Sequence, residues 1–414
     1  MANFDNRAHE RTRNRKEHHN DLLCFSHLRW NFVFQRPQHL MTRFAKERRV
    51  FYVEEPIFDA NVPTIELHEA QGVVVAVPHL PAGPDRLRIA LSVRHLLSNL
   101  FVSHNISDPV FWYYTPMALE FSRDLPNAGI VFDCMDELSA FAGAPPALAA
   151  LEQELLARAA VVFTGGQSLF EAKREKHSHV HAFPSSVDVA HFARARQPHD
   201  EPHDHAAIPH PRLGFFGVVD ERMDLNLVAG IARQRPDWHQ VIIGPCVKID
   251  PITLPQGPNI HYLGMKQYDD LPRYLAGWDV AMLPFARNAS TRFISPTKTP
   301  EYLAAGRPVV STSIRDVVRP YGDLGLAYIA DTPADFVAAV EAALQRDRTL
   351  WLKTVDGFIA DLSWERTWGA MRRLMTEAIN RVSARQRLAS YSELSPRGTP
   401  ISEEVRARPI SSAS

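Results

Sequence analysis

The chain has 414 residues, with 46 lysines and arginines against 47 aspartates and glutamates, for a formal net charge of −1. That length fits two or three domains at ~150 residues each. An apolar fraction of 45% and a charged fraction of 22% exclude global disorder, a fibrous repeat and a membrane channel, and the balanced charge argues against bulk nucleic-acid binding.

In chain order, residues 1–19 are polar and basic, lack the apolar segment of a signal peptide, and read as a disordered tail. Apolar runs without strict alternation follow at 21–28, 49–56, 72–78, 109–116, 129–137 and 160–166, with helical patterns between them at 37–46, 87–102, 146–158 and 167–175. Such runs predict a parallel sheet covered on both faces, one α/β unit over 20–193. The 87–102 pattern (LRIALSVRHLLSNLFV) carries Arg88 and Arg94 and is too short to span a bilayer. Its apolar face fits either a core or a membrane surface.

A break rich in Pro, His and Asp covers 194–211 and reads as a solvated linker, in which His199, His203, His205 and His210 are spaced too loosely for a metal site. A second series of apolar runs (212–219, 239–245, 259–264, 279–284, 307–312, 326–330) alternates with helical patterns at 223–233, 268–276, 298–305 and 334–345. This predicts a second α/β unit over 212–365. Residues 383–414, rich in Ser, Arg and Pro, read as a disordered tail. Two open sheets in series place a cleft between them, at the carboxyl ends of their strands. Cys24, Cys134 and Cys246 are far apart and form no C-x-x-C pair, which suggests a reducing, cytoplasmic setting without disulfides.

With 31 prolines and only 19 glycines, the chain is a weak candidate for several glycine-rich phosphate loops. It has no G-x-G-x-x-G after a strand, no G-x-x-x-x-G-K-[ST] and no G-x-S-x-G. The strongest signal is SPTKTPEYLAAGRPVVST, residues 295–312. Ser295-Pro296-Thr297 reads as a helix start whose hydroxyls can cap and whose backbone N–H groups favour an anion. Lys298 adds a positive charge there, and Glu301, one turn on, offers two acceptor oxygens to the hydroxyls of a ribose. A diphosphate and a ribose on one helix make a nucleotide-sugar site; an ordinary helix ended by Gly306 is the other reading.

In the first unit, the segment after the first strand holds His27, Trp30 and Arg36. Trp30 could stack on a sugar or lie buried beneath the loop. Arg36 could pair with a phosphate or an acidic acceptor, or cap the loop. Asp133 and Asp136 at the end of the 129–137 run could orient an acceptor hydroxyl, or serve as helix caps. Tyr114 could line the same cleft.

At 295–312 the chain resembles the GT-B glycosyltransferases of family 1 or family 4-like type, through K-x-x-E-Y-L-A-A-G-x-P-V-V. Other landmarks follow the family's order: FPSSVDVAHF (183–192), NIHYLGMKQYDDLPRYLAGWDVAMLPF (259–285), DTPADFVAAVEAAL (331–344) and LSWERTW (362–368). SHLRWNFVFQRPQHLMTRFA (26–45) resembles a bacterial exopolysaccharide-type subgroup, and the likeness spans about 20–382. The resemblance implies two Rossmann-like parallel-sheet domains facing a cleft, with a C-terminal helix (366–382) crossing back to the first. It implies a retaining, metal-independent transfer from a UDP- or GDP-type sugar donor, with no other cofactor, to a hydroxyl of a glycan or lipid-linked acceptor. The setting would be cytoplasmic, with peripheral contact to the inner membrane face and no nucleic-acid partner.

Residue by residue, it implies Glu301 on the donor ribose, Lys298 on the phosphates, and Ser295, Thr297 and Arg222 on the diphosphate; Arg222 also reads as a surface charge at a helix start, and Arg292 as a second phosphate contact or an ion-pair partner. His27, Asp133 and Asp136 are then the candidate catalytic groups, and Trp30, Arg36 and Tyr114 the acceptor side. Two departures stand out. The family's E-x(7)-E would put its first glutamate at position 293, which is Phe293, and the usual glycine-rich loop after the first strand is missing. They keep two other readings open, a nucleotide-sugar epimerase on the same fold and a non-catalytic nucleotide-sugar-binding protein.

Overall fold

The computed structural model describes residues 20–394, apart from 84 and 199. Its first sheet contains β1 (Leu22–Phe25), β2 (Val50–Val53), β3 (Thr64–Ala70), β4 (Val73–His79), β5 (Val110–Tyr113), β6 (Gly129–Cys134), β7 (Val161–Thr164) and β8 (Val180–Ala182), in the order β3-β4-β2-β1-β5-β6-β7-β8. All neighbours are parallel except β3, which runs antiparallel along β4. Gln71 and Gly72 turn that hairpin with φ of 54° and 82°, the positive-φ pair that suits a tight two-residue connection.

Side-chain alternation splits this domain into two cores. Leu23 and Phe25 of β1 join Val93, Leu97 and Leu100 of the helix Arg86–Ser103 on one face. Leu22 and Cys24 join Leu40, Met41 and Phe44 of the helix Arg36–Phe44 on the other. Burial on both faces is why the strands read as unbroken apolar runs.

The second sheet contains β9 (Arg212–Phe216), β10 (His239–Ile243), β11 (Ile260–Gly264), β12 (Val280–Leu283), β13 (Val309–Ser311) and β14 (Ala327–Ile329), in the order β11-β10-β9-β12-β13-β14, all parallel. Its core also takes Val187, Phe192, Ala195 and Ile208. The expected linker 194–211 is therefore corrected. Its apolar residues seal the base of the second domain, which begins near residue 187. His205 is fully buried against Tyr274, and buried Arg212 pairs with Glu201.

The final helix, Trp364–Leu394, crosses back to the first domain as expected. Trp364, Trp368, Met371, Met375 and Ala378, three or four residues apart, form the stripe that packs on the first sheet. The helix continues through 383–394, which corrects that part of the expected tail; the tail expectations for 1–19 and 395–414 lie outside the described residues. A helix at Arg348–Ile359 has no counterpart in the sequence reading. The two chain crossings lie side by side: Val187 N–H donates to the Leu362 carbonyl at 3.0 Å, and the Ser186 and Thr367 hydroxyls are 2.6 Å apart. All three cysteines are free.

Candidate active site

The carboxyl ends of β1, β5 and β6 face those of β9, β10 and β12 across a cleft with two chambers, of about 560 and about 640 Å³. The first is lined by His27, Asp136, Phe141, Arg222, Lys248 and Thr297 among others. The second is lined by His191, Gly244, Tyr268, Asp269 and Glu301. Lys298 lines both and marks their junction.

Strand ends shape the junction. Gly217 and Gly244 directly follow β9 and β10 with φ of 152° and 143°, and a Cβ on Gly244 would collide with the Gly217 carbonyl oxygen. Only glycine permits that approach. The helix Lys298–Ala304 then starts at the cleft. Thr297 precedes it, but its hydroxyl does not cap the helix, because its backbone is already helical (φ −58°, ψ −24°) rather than extended. The hydroxyl instead accepts from Lys298 Nζ at 2.9 Å and lines the first chamber with Ser295. Lys298 Nζ also lies 3.3 Å from Glu301 Oε2 and 4.9 Å from the Phe216 ring centroid. Glu301 is buried, which pushes its carboxyl pKa up, with Lys298 opposing the rise.

Two further cations face the first chamber. Arg222 bonds Asp220 through Nε and Nη2 at 2.7–3.1 Å, and its guanidinium lies 5.5 Å from the Phe141 ring centroid. Lys248 Nζ lies 5.3 Å from the same ring. A first-domain aromatic thus lies within cation–π range of two second-domain cations. Asp136 faces this group; burial raises its carboxyl pKa, and Arg222 and Arg36 work against the rise. For His27, burial and then the Lys248 charge push the pKa down to about 4, so the imidazole is neutral at pH 7.

The structure brings His27, Asp136, Arg222, Ser295, Thr297, Lys298 and Glu301 to the cleft, leaves Arg36 and Trp30 as largely buried parts of the chamber walls, and keeps Asp133, Tyr114 and Arg292 out of both chambers. Asp133 is fully buried and held by Arg36, whose Nε and Nη2 reach it at 2.8–3.1 Å. Arg36 Nη1 donates to the Phe183 carbonyl at 2.7 Å, so the guanidinium is spent inside the domain, not on a phosphate or acceptor. Tyr114 is core, 1% exposed. Trp30 is buried beneath its loop with its ring against Tyr52 (centroids 4.9 Å, 70°), and it contributes to the wall of the second chamber while only 5% exposed. Arg292 is exposed over the Phe293 ring and lines neither chamber. Phe293 itself packs against the first domain's core, away from the chambers.

Sequence reasoning missed Phe141, Lys248 and Tyr268. Tyr268 stacks on His191 (4.2 Å, 10°) and meets first-domain Phe34 at 4.8 Å. Both contacts join residues distant in the chain, so no local pattern announces them. A further cross-domain contact is Asp316. It accepts the Ser168 N–H at 3.0 Å and caps the helix Gln167–Lys173, whose own N-cap is side-chain-less Gly166.

Comparison with known proteins agrees with this architecture. The sucrose-phosphate synthase of Thermosynechococcus elongatus superposes with a TM-score of 0.61 at 15% identity, over 86% of this chain and 98% of the other. The Escherichia coli trehalose-6-phosphate structure bound with UDP-2-fluoro glucose gives 0.62 at 13%, over 87% and 99%. The catalytic domain of Arabidopsis thaliana starch synthase IV, bound to ADP and acarbose, gives 0.62 at 10%, over 87% and 99%. At such identities the likeness is one of fold, and two open sheets facing a cleft at their carboxyl ends define the GT-B class.

Sequence narrows this. Residues 210–346, which fall within the second domain, match the family described as Glycosyl transferases group 1. Over 181 residues the chain is 29% identical to TuaH of Bacillus subtilis (strain 168), a candidate teichuronic acid biosynthesis glycosyltransferase. That match covers 42% of this chain and 44% of the relative, so the chain spans less than half of that relative's length.

Proposed function

We propose that the protein moves a sugar from a nucleoside diphosphate donor, of UDP or GDP type, to a hydroxyl of a glycan or lipid-linked acceptor during polysaccharide assembly, with retention and without a metal. One observation carries this reading: Lys298 and Glu301 lie one turn apart on one helix, and Lys298 stands where two chambers meet. The nucleoside occupies the second chamber with its ribose on Glu301, the diphosphate lies at Lys298, and the transferred sugar enters the first chamber beside Arg222 and Lys248. These cations meet the charge that develops on the leaving diphosphate. The acceptor oxygen bonds to the anomeric carbon as the bond to phosphate breaks, and the hydroxyl proton passes to the leaving phosphate oxygen. Asp136 and neutral His27 hydrogen-bond neighbouring hydroxyls of the acceptor and so orient the reacting one, whose own proton goes to the phosphate oxygen.

The group 1 match supports the transfer, the neighbour bound with UDP-2-fluoro glucose supports the donor class, and the teichuronic acid relative supports polysaccharide assembly. None of them favours the epimerase or the binding-only reading. Among the described residues no helix is long and apolar enough to cross a membrane. Peripheral contact would fall on Arg86–Ser103, which leaves Leu87, Leu91 and Val102 exposed.

Calorimetry with UDP and GDP tests the reading. Lys298→Ala and Glu301→Ala each remove a charge-assisted contact of about 1.5–3 kcal/mol, which weakens binding roughly 10- to 100-fold. Unchanged affinity in both variants refutes it.

A further inference from the structure

Next to the first chamber the first domain contains another pocket, of about 230 Å³. Its walls are mainly apolar: Phe25, Val53, Pro56, Ile89, Ala90 and Phe121. It shares Glu55, Thr115 and Met117 with the first chamber, so the two spaces adjoin at the end of β5. Two of its carboxylates are already compensated. Glu54 bonds Arg29 at 2.9 Å and accepts the Trp30 N–H at 2.7 Å, and Glu120 pairs with Arg86. Phe58, also in the wall, is 47% exposed.

An apolar space this size exceeds the ~150 Å³ cavity known to take up benzene. The groups assigned to the donor, Arg222, Lys298 and Glu301, all lie on the opposite domain. A ligand in this pocket therefore approaches the transfer centre from the acceptor side. Resting on the glycosyltransferase reading, we propose that the pocket binds an apolar group of the acceptor itself, an aryl or alkyl aglycone within a few atoms of the hydroxyl that is glycosylated. The walls favour an uncharged, hydrophobic segment and disfavour a free sugar.

The test is binding of a methyl-to-octyl series of alkyl glucosides to the full chain, measured by calorimetry with and without saturating UDP. Burial of each methylene at ~0.8 kcal/mol corresponds to about fourfold in affinity, so Kd should fall by up to about fourfold per carbon and level off once the pocket is full. Ala90→Trp, at a half-buried helix position, should fill the pocket and abolish the gain while leaving UDP affinity and melting temperature unchanged. Ile89→Gln should blunt the gain by making the wall polar, and gives a second route should the tryptophan disturb folding. No dependence on chain length in the wild type overturns the proposal, as does a dependence that persists in both variants or that rises without levelling, the signature of adsorption to an open surface. Absence of UDP and GDP binding refutes the glycosyltransferase reading instead, and the series without nucleotide still judges the pocket.

Discussion

Asp133 carries the sharpest prediction, because sequence and structure give it opposite jobs. Its carboxylate and the Arg36 guanidinium are both almost fully buried, 0% and 1% exposed, and joined through two guanidinium nitrogens at 2.8–3.1 Å. Asp133→Ala leaves that guanidinium without its counter-charge. One carbonyl bond to Phe183 and a 3.9 Å contact with Met371 Sδ remain. Breaking a buried pair from one side costs about 3–5 kcal/mol, a large part of the roughly 5–15 kcal/mol that holds a typical protein folded. Urea denaturation should show that loss, and the fraction still folded should bind UDP with wild-type affinity. Arg36→Met combined with Asp133→Leu should recover most of the stability, since both charges leave together. The reasoning fails if Asp133→Ala stays within about 0.5 kcal/mol of wild type, or if stability holds while sugar transfer disappears, which would return Asp133 to the chemistry.

Other outcomes follow from single contacts. Gly244→Ala should abolish nucleotide binding in calorimetry, because its Cβ collides with the Gly217 carbonyl at a backbone angle that favours glycine; wild-type affinity would contradict the strand-end geometry. Asp316→Ala removes the cross-domain cap on Gln167–Lys173, worth about 1 kcal/mol, and small-angle scattering should show a larger radius of gyration with UDP bound than in wild type. His39 is buried and stacked on Trp364 (4.5 Å, 12°), and burial, with Arg43 next, pushes its pKa down to about 3. The unfolded chain, with an ordinary histidine pKa near 6.5, therefore takes up a proton that the native state refuses. Stability should fall as pH drops from 6.5 towards 3, by about 1.4 kcal/mol per unit from this residue. His39→Gln should flatten the slope in denaturation curves between pH 6.5 and 4.5, and an unaltered slope would count against it.

The strands were legible because sheets buried on both faces demand apolar runs. Where that demand lapses, so does the signal. β3 (TIELHEA) is an edge strand, mostly solvent-facing, and carries Glu66, His68 and Glu69 among its apolar residues. β8 is three residues long. The last turns of Trp364–Leu394 are polar, and composition alone cannot separate a polar helix from a tail. The 194–211 segment misled in the opposite way: its prolines and histidines suggest solvent, yet Ala195 and Ile208 at intervals along it close the second core.

The site divides along a similar line. Lys298 and Glu301 were readable because one helix fixes their spacing. Asp133 and Asp136 were not separable, because their roles depend on which side of β6 each leaves. On β6, Ile130, Phe132 and Cys134 face the core of the Arg86–Ser103 layer, and Val131 faces the layer of the final helix. Asp133 shares the parity of Val131 and so points towards Arg36 and Met371, beneath the cleft floor. Asp136 lies beyond the strand's last residue, where the chain turns into the chamber. The Arg36–Asp133 pair ties the helix Arg36–Phe44 to the strand end that precedes Asp136, and Phe183 and Met371 bring the β8 exit and the crossing helix to the same point. Arg36 and Asp133, which their places at strand ends had suggested for the reaction, hold together the platform from which His27 and Asp136 face the cleft.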